Sequence, residues 1–271
     1  MKLAAVVILY HPGNDYLLNK KSYEPYVDIL IEWDNTPHNV GIGRALNKTV
    51  EYARQNGYTH LLALDQDSYF LKDDLPRYIK AIEESGTERA IFSTNYYLMS
   101  RQTTLYPVTD TIERVSSTMT SGAIYPLSLF NELGLFMEKL FVWGIDMEFS
   151  WRAARHGIPT LCFRNIVLQH DLGYQHKKHS LLGRVVFPNE YSPARSYYNV
   201  RNGILLHRLY PERLPLGAHL KYHLWKRIVF VLLYERQKRA KWLALWRGYR
   251  DGKQGKTGRY EEDAAVKNGQ N

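Results

Sequence analysis

The run "KLAAVVILY" near the start of the chain constrains the fold more than any other stretch. Successive side chains of an extended segment point to opposite faces, so an unbroken apolar run has to be covered on both sides. That is the signature of a strand inside a parallel sheet. "VDILIEWD", "HLLALD" and "AIFST" repeat the pattern. Between them, "GIGRALNKTVEYARQNG" sets Ile42, Leu46, Val50 and Ala53 at helical spacing and closes on Gly57. "KDDLPRYIKAIEES" follows as a second helix with acids in its first turn. Strands alternating with helices predict an α/β protein with a doubly wound, mostly parallel sheet. Ligands of such sheets bind beyond the carboxyl ends of the strands.

After Gly122 the pattern loosens. "SGAIYPLSLFNELGLFMEKLFVWGIDMEFSWRAARHG" reads as helix, loop, helix, ending at Gly157, and the short strands "PTLCF" and "IVLQHD" follow. A His- and Lys-rich loop from Tyr174 to Ser180 leads to two helical stretches, "SPARSYYNVRNGILLHRLYP" and "HLKYHLWKRIVFVLLYERQKRAKWLALWRGYR". The expected organisation is a catalytic domain over 1–212, a basic amphipathic helical extension over 213–250, and a disordered tail over 251–271.

The net charge of +9 is concentrated at one end: residues 219–260 hold twelve Lys or Arg against Glu235 and Asp251. As one helix the extension would span about 45 Å, with Trp225, Trp242 and Trp246 set among cations, a composition suited to an anionic membrane surface. Packing on the catalytic domain with a solvated basic face is the plainer alternative. No nucleic-acid module is recognisable. No stretch approaches the roughly 20 apolar residues of a membrane span. Leu3 to Tyr10 is too short, and too abruptly ended by "HPGND", for a secretion signal. With the lone Cys162 in apolar "TLCF", this predicts a cytoplasmic protein, peripheral on the inner face of the membrane.

Three places carry chemistry. Asp65 and Asp67 end an apolar strand one residue apart, so both carboxylates face the same way, as a Mg²⁺ or Mn²⁺ site holding a diphosphate requires; a solvated loop is the alternative. Asp146 of "GIDMEFSWRA" sits where a helix N-cap would be, and Glu148 pairs with Arg152 at i,i+4. This is a capping acid with a surface ion pair, or else a general base. His170 of "VLQHD" is a structural histidine unless the fold brings it to the cation held by Asp67.

Taken together, "AAVVILYHP", "EWDN", "NVGIGRALN", "LLALDQDS", "SGAIYP", "GIDMEFSWRA" and "VLQHD" resemble the GT-A inverting glycosyltransferases of family 2. The similarity covers roughly residues 3–210 and points to the bacterial rhamnosyltransferase and galactofuranosyltransferase branch that builds surface polysaccharides. The resemblance implies a nucleotide-diphosphate sugar donor (dTDP- or UDP-linked, rhamnose first) and a glycan or lipid-linked acceptor. It casts Asp34 as the acid that recognises the base, and Asn39 and Gly41 as the turn approaching the nucleotide. Asp65 serves donor and metal, Asp67 and His170 ligate Mn²⁺ or Mg²⁺, and Asp146 is the base. Ile145 stands where the family's first acid would be. "YYNVRN" matches a Tyr- and Arg-rich segment, leaving Arg201 as a phosphate or acceptor contact or a structural ion-paired residue. Two rivals remain. A phosphatase of the haloacid dehalogenase type places its D-x-D on the first strand and needs a later acidic pair absent here. A membrane-associated scaffold that lost turnover has Ile145 as its support.

Overall fold

The computed structural model describes residues 1–99, 102–170, 179–181, 183–186 and 190–260. By contact the chain forms two compact units, Met1–Glu138 with Ile145–Leu172, and Lys139–Gly144 with Gly173–Asn271.

The first unit carries β1 (Leu3–Leu9), β2 (Ile29–Asp34), β3 (His60–Asp65), β4 (Tyr69–Phe70), β5 (Ile91–Leu98), β6 (Thr103–Thr104), β7 (Ile112–Val115), β8 (Ala123–Pro126) and β9 (Thr160–His170). The sheet runs β2-β1-β3-β8-β5-β9-β4, with β6 on β5 and β7 on β9. β1 is parallel to β2 and β3, and β5 to β9. All seven residues of β1 are buried, as its apolar run demands. The helices are α1 (Asp15–Lys20), α2 (Ile42–Gln55), α3 (Asp74–Glu84), α4 (Leu129–Leu133) and α5 (Ile145–Arg155). Cys162 is a core residue, its thiol pushed up to about 11 by burial.

Two readings of this unit change. "AIYP" is not helical but forms β8, which lies antiparallel between β3 and β5. Four buried residues in a row carry no period that separates a strand from a buried helical turn. The two short strands expected after Gly157 are one, β9, eleven residues long. Its register against β5 shifts between Thr94 and Asn95, so a bulge takes up the polar "RN" without ending the strand.

The second unit holds the β10 (His179–Leu181) and β11 (Arg184–Val186) hairpin, α6 (Pro193–Leu209), α7 (Leu216–Leu220), a π-helical turn at Lys221–Trp225, α8 (Lys226–Leu233) and α9 (Lys238–Gln254). Ser192 caps α6 by accepting the Arg195 N–H at 3.2 Å. α6 packs along α9 through Ala244, Gly248 and Gly252, spaced four apart. A Cβ on Gly248 would lie 2.6 Å from the Tyr197 carbonyl, so the two backbones touch where no side chain fits.

Here too the expectations shift. The basic stretch is not one rod of about 45 Å: it breaks between Leu233 and Lys238, where Gln237 takes a φ of 54°. The boundary expected after 212 falls earlier, because α6 belongs with α9 in the second unit. The tail is ordered to residue 260: Tyr260 stacks on Tyr197 at 4.1 Å, and its N–H donates to the Tyr198 hydroxyl at 2.7 Å. Residues 261–271 lie outside the described residues. Arg201 is fully buried and donates to the carbonyls of Gly258 at 2.6 Å and Leu140 at 3.0 Å. Those bonds make it a structural clamp on the tail rather than a phosphate contact.

Candidate active site

The parallel register sets acids at neighbouring strand ends. Asp34 pairs with Leu9 and Asp65 with Ile8 on either side of β1, two strand spacings or about 10 Å apart. Asp34 is exposed and accepts the Thr36 N–H at 2.7 Å. Asn39 Oδ1 accepts the Gly41 N–H at 2.8 Å, closing a turn on the N-terminus of α2. Gly41, at φ 89°, occupies backbone space that L side chains rarely enter. These three residues run from the end of β2 to the start of α2 and are not members of the carboxylate cluster.

The cluster is built around β3. Asp65, Asp67 and His170 each offer a ligand atom, and these atoms lie within 4.8 Å of one another. His170 reaches the group from far along the chain because β4 pairs with the end of β9, Tyr69 opposite Gln169, two residues past Asp67. Asp67 is exposed, whereas His170 is buried with Nδ1 3.7 Å from Asp67 Oδ1. Gln66, between the two acids, holds the β1 end with its side-chain amide. It accepts the Tyr10 N–H at 2.8 Å and donates to the Tyr10 carbonyl at 3.3 Å.

Two carboxylates and an imidazole are a donor set for Mn²⁺ or Mg²⁺. Ligands at about 2.0–2.2 Å from one ion stand no more than about 4.4 Å apart, so the three side chains need to close by only a few tenths of an ångström. The remaining coordination positions suit water and diphosphate oxygens.

Asp146 lies one residue inside α5, not at its N-cap. Its Oδ1 accepts the Met147 N–H at 2.8 Å and its Oδ2 the Thr120 N–H at 3.2 Å. Burial, with a smaller contribution from the Asp65 charge, raises its pKa above the usual carboxylate range against those two bonds. The Glu148–Arg152 pair is no surface pair. Glu148 is 1 % exposed and bonded twice by Arg152, which also donates to the carbonyls of Leu133 and Leu135. It fixes α5 and so the position of Asp146.

Sequence reading missed the residues between these groups. The Asp65 N–H donates to Ser121 Oγ at 3.0 Å, Ser121 Oγ to Ser68 Oγ at 2.8 Å, and Ser68 Oγ lies 2.7 Å from His170 Nδ1. The only signals were adjacency: Ser68 follows Asp67, and Ser121 precedes Gly122, whose Cβ would lie 2.8 Å from Thr94 Oγ1.

Residues 22–137 match the family model described as Glycosyl transferase family 2. The dTDP-rhamnosyl transferase RfbF of Shigella flexneri is 24 % identical over 217 residues, covering 74 % of this chain and 70 % of that one. Among solved structures, S. aureus TarS 1-349 in complex with UDP-GlcNAc superposes with a TM-score of 0.52 at 14 % identity, over 93 % of this chain and 81 % of that one. Its complex with UDP gives 0.51 at 13 % identity, over 97 % and 95 %. At such identities the likeness is one of fold, and the fold is GT-A. Over residues 22–137 the chain thus carries a Glycosyl transferase family 2 domain.

Proposed function

We propose that this glycosyltransferase moves a sugar, rhamnose before galactofuranose or another hexose, from a dTDP- or UDP-linked donor to a hydroxyl of a glycan or lipid-linked acceptor, with inversion, in bacterial surface polysaccharide synthesis. The observation that carries the reading is the convergence of Asp65, Asp67 and His170 at the strand ends, with Asp146 hydrogen-bonded beside them. Asp65, Asp67 and His170 would hold Mn²⁺ or Mg²⁺, which when bound offsets the negative charge growing on the leaving diphosphate. Asp34, Asn39 and Gly41 would meet the nucleoside at the neighbouring strand ends. Asp146 takes the proton of the acceptor hydroxyl as its oxygen bonds to the anomeric carbon. The carbon–oxygen bond to the β-phosphate breaks on the opposite face, and its electron pair leaves with the diphosphate. The raised pKa of Asp146 makes it a better base than an ordinary carboxylate. Ile145 is buried and takes no part.

For the acceptor side the reading is peripheral attachment to an anionic bilayer through residues 219–250. No helix of the described residues is long and apolar enough to cross a membrane. Of the twenty exposed large apolar side chains among the described residues, nine lie between Tyr222 and Tyr249, among them Trp225, Leu233, Trp242 and Trp246. The one acid of 219–250, Glu235, is buried between Arg227 and Lys241, so the outward charges there are Lys221, Lys226, Arg236, Lys238 and Arg239.

The test is a thermal-shift screen of dTDP, UDP and GDP sugars with and without Mn²⁺. A metal-dependent rise with one donor supports the transferase. Metal-dependent donor binding without transfer to any acceptor favours the scaffold, and no rise with any donor removes the reading.

A further inference from the structure

Ser121, Ser68 and His170 are all buried and joined by hydrogen bonds that start from the Asp65 amide. The Asp65 N–H can only donate, so Ser121 Oγ accepts it, and Ser121 Oγ in turn donates its proton to Ser68 Oγ. Ser68 then has one proton left, and the partner in front of it is His170 Nδ1 at 2.7 Å. A neutral imidazole that accepts at Nδ1 carries its proton on Nε2. Nδ1 is also the nitrogen that stands 3.7 Å from Asp67 Oδ1. Without the hydroxyl, the Asp67 carboxylate would favour the other tautomer, with an N–H pointing at itself and no Nδ1 lone pair for a cation.

Resting on the metal reading given above, we propose that Ser121 and Ser68 are positioning residues: a two-hydroxyl relay that fixes His170 as the Nε2–H tautomer and turns the Nδ1 lone pair toward Asp67. A cation arriving between Asp67 and His170 then displaces a hydroxyl contact and no proton. The same turn serves the base, because Thr120, next to Ser121, supplies the N–H bound by Asp146 Oδ2. The relay therefore ties the acceptor side of the site to the metal side through one dipeptide.

The test uses the full chain, free of metal, with ¹⁵N-labelled histidine. His170 is assigned by the loss of its signals in His170→Asn, and Mn²⁺ affinity is measured separately by electron paramagnetic resonance. Wild type should show the Nε2–H tautomer. Ser121→Ala and Ser68→Ala should shift His170 toward Nδ1–H and weaken Mn²⁺ binding about ten-fold. Ser93→Ala removes another buried hydroxyl, bonded to Thr118 at 2.6 Å, and should leave both readouts unchanged. Melting curves in metal-free buffer identify a variant that fails to fold. If only one serine variant folds, that variant decides. An Nδ1–H tautomer in wild type, or an unaltered tautomer and affinity in the folded variants, overturns the relay. If wild type binds no Mn²⁺, the metal reading falls, and the tautomer measurement still judges the relay.

Discussion

The carboxylates of the first unit and the ion cluster of the second treat charge in opposite ways. At the strand ends, Asp65, Asp67 and Asp146 collect like charge, and the pKa of Asp146 is raised by burial and by its neighbour Asp65. In the second unit Glu235 is buried with both oxygens taken, by the Arg227 guanidinium and by Lys241 Nζ at 2.9 Å. Opposite charges that neutralise one another in the interior leave nothing for a ligand to complete. Like charges gathered at an open strand end cost the fold something and are balanced when a cation arrives. One arrangement is architecture, and the other is the site proposed to take a cation.

The largest break in this contrast should come from Asp146→Asn. Transfer should drop on the order of 10²–10⁴-fold while donor binding, read by thermal shift, is retained. Wild-type activity should rise with pH through the raised pKa, so its acidic limb lies above the ordinary carboxylate value of about 4. A raised folded pKa also means stability that is present below the unfolded value and lost as pH rises through the folded one. Wild type should therefore lose melting temperature as pH rises through that folded value, a loss absent in Asp146→Asn. Unchanged transfer would remove Asp146 from the base role.

Next in size is Glu235→Ala, which strands two buried cations and should cost about 3–5 kcal/mol by denaturant titration. A loss below about 1 kcal/mol would mean the cluster is open to water and the contrast is false. The smallest stability effect belongs to Asp67→Ala, within about 0.5 kcal/mol of wild type, because an exposed acid is removed from like-charged company. Its cost should fall on Mn²⁺-dependent donor binding, and more heavily than that of Asp65→Ala, since Asp67 faces His170.

The gap between what could be read and what could not follows the range of the interactions. β1, α2 and α3 were legible because an unbroken apolar run and a 3.6-residue period act over ten to fifteen residues. Asp65 and Asp67 were legible for the same reason, as acids at the end of such a run. β8 was not, since a four-residue strand is defined by the slot between β3 and β5 and not by its own pattern. The C-terminal segment was misread as one rod because its composition spoke for a surface. The small residues Ala244, Gly248 and Gly252 and the buried Glu235 gain meaning only against α6, Arg227 and Lys241.

The sequence alone determined that the chain makes a sheet covered on both faces, and that acids stand at its strand ends. Alternation and periodicity are local, and they survive without knowing the partner. Only the tertiary structure decided that His170 meets Asp67 through the pairing of β4 with β9, and that Ser121 and Ser68 join His170 to the Asp65 amide. Those contacts span 53 and 102 residues of chain, and a lone serine or histidine carries no sign of the neighbour it will be given.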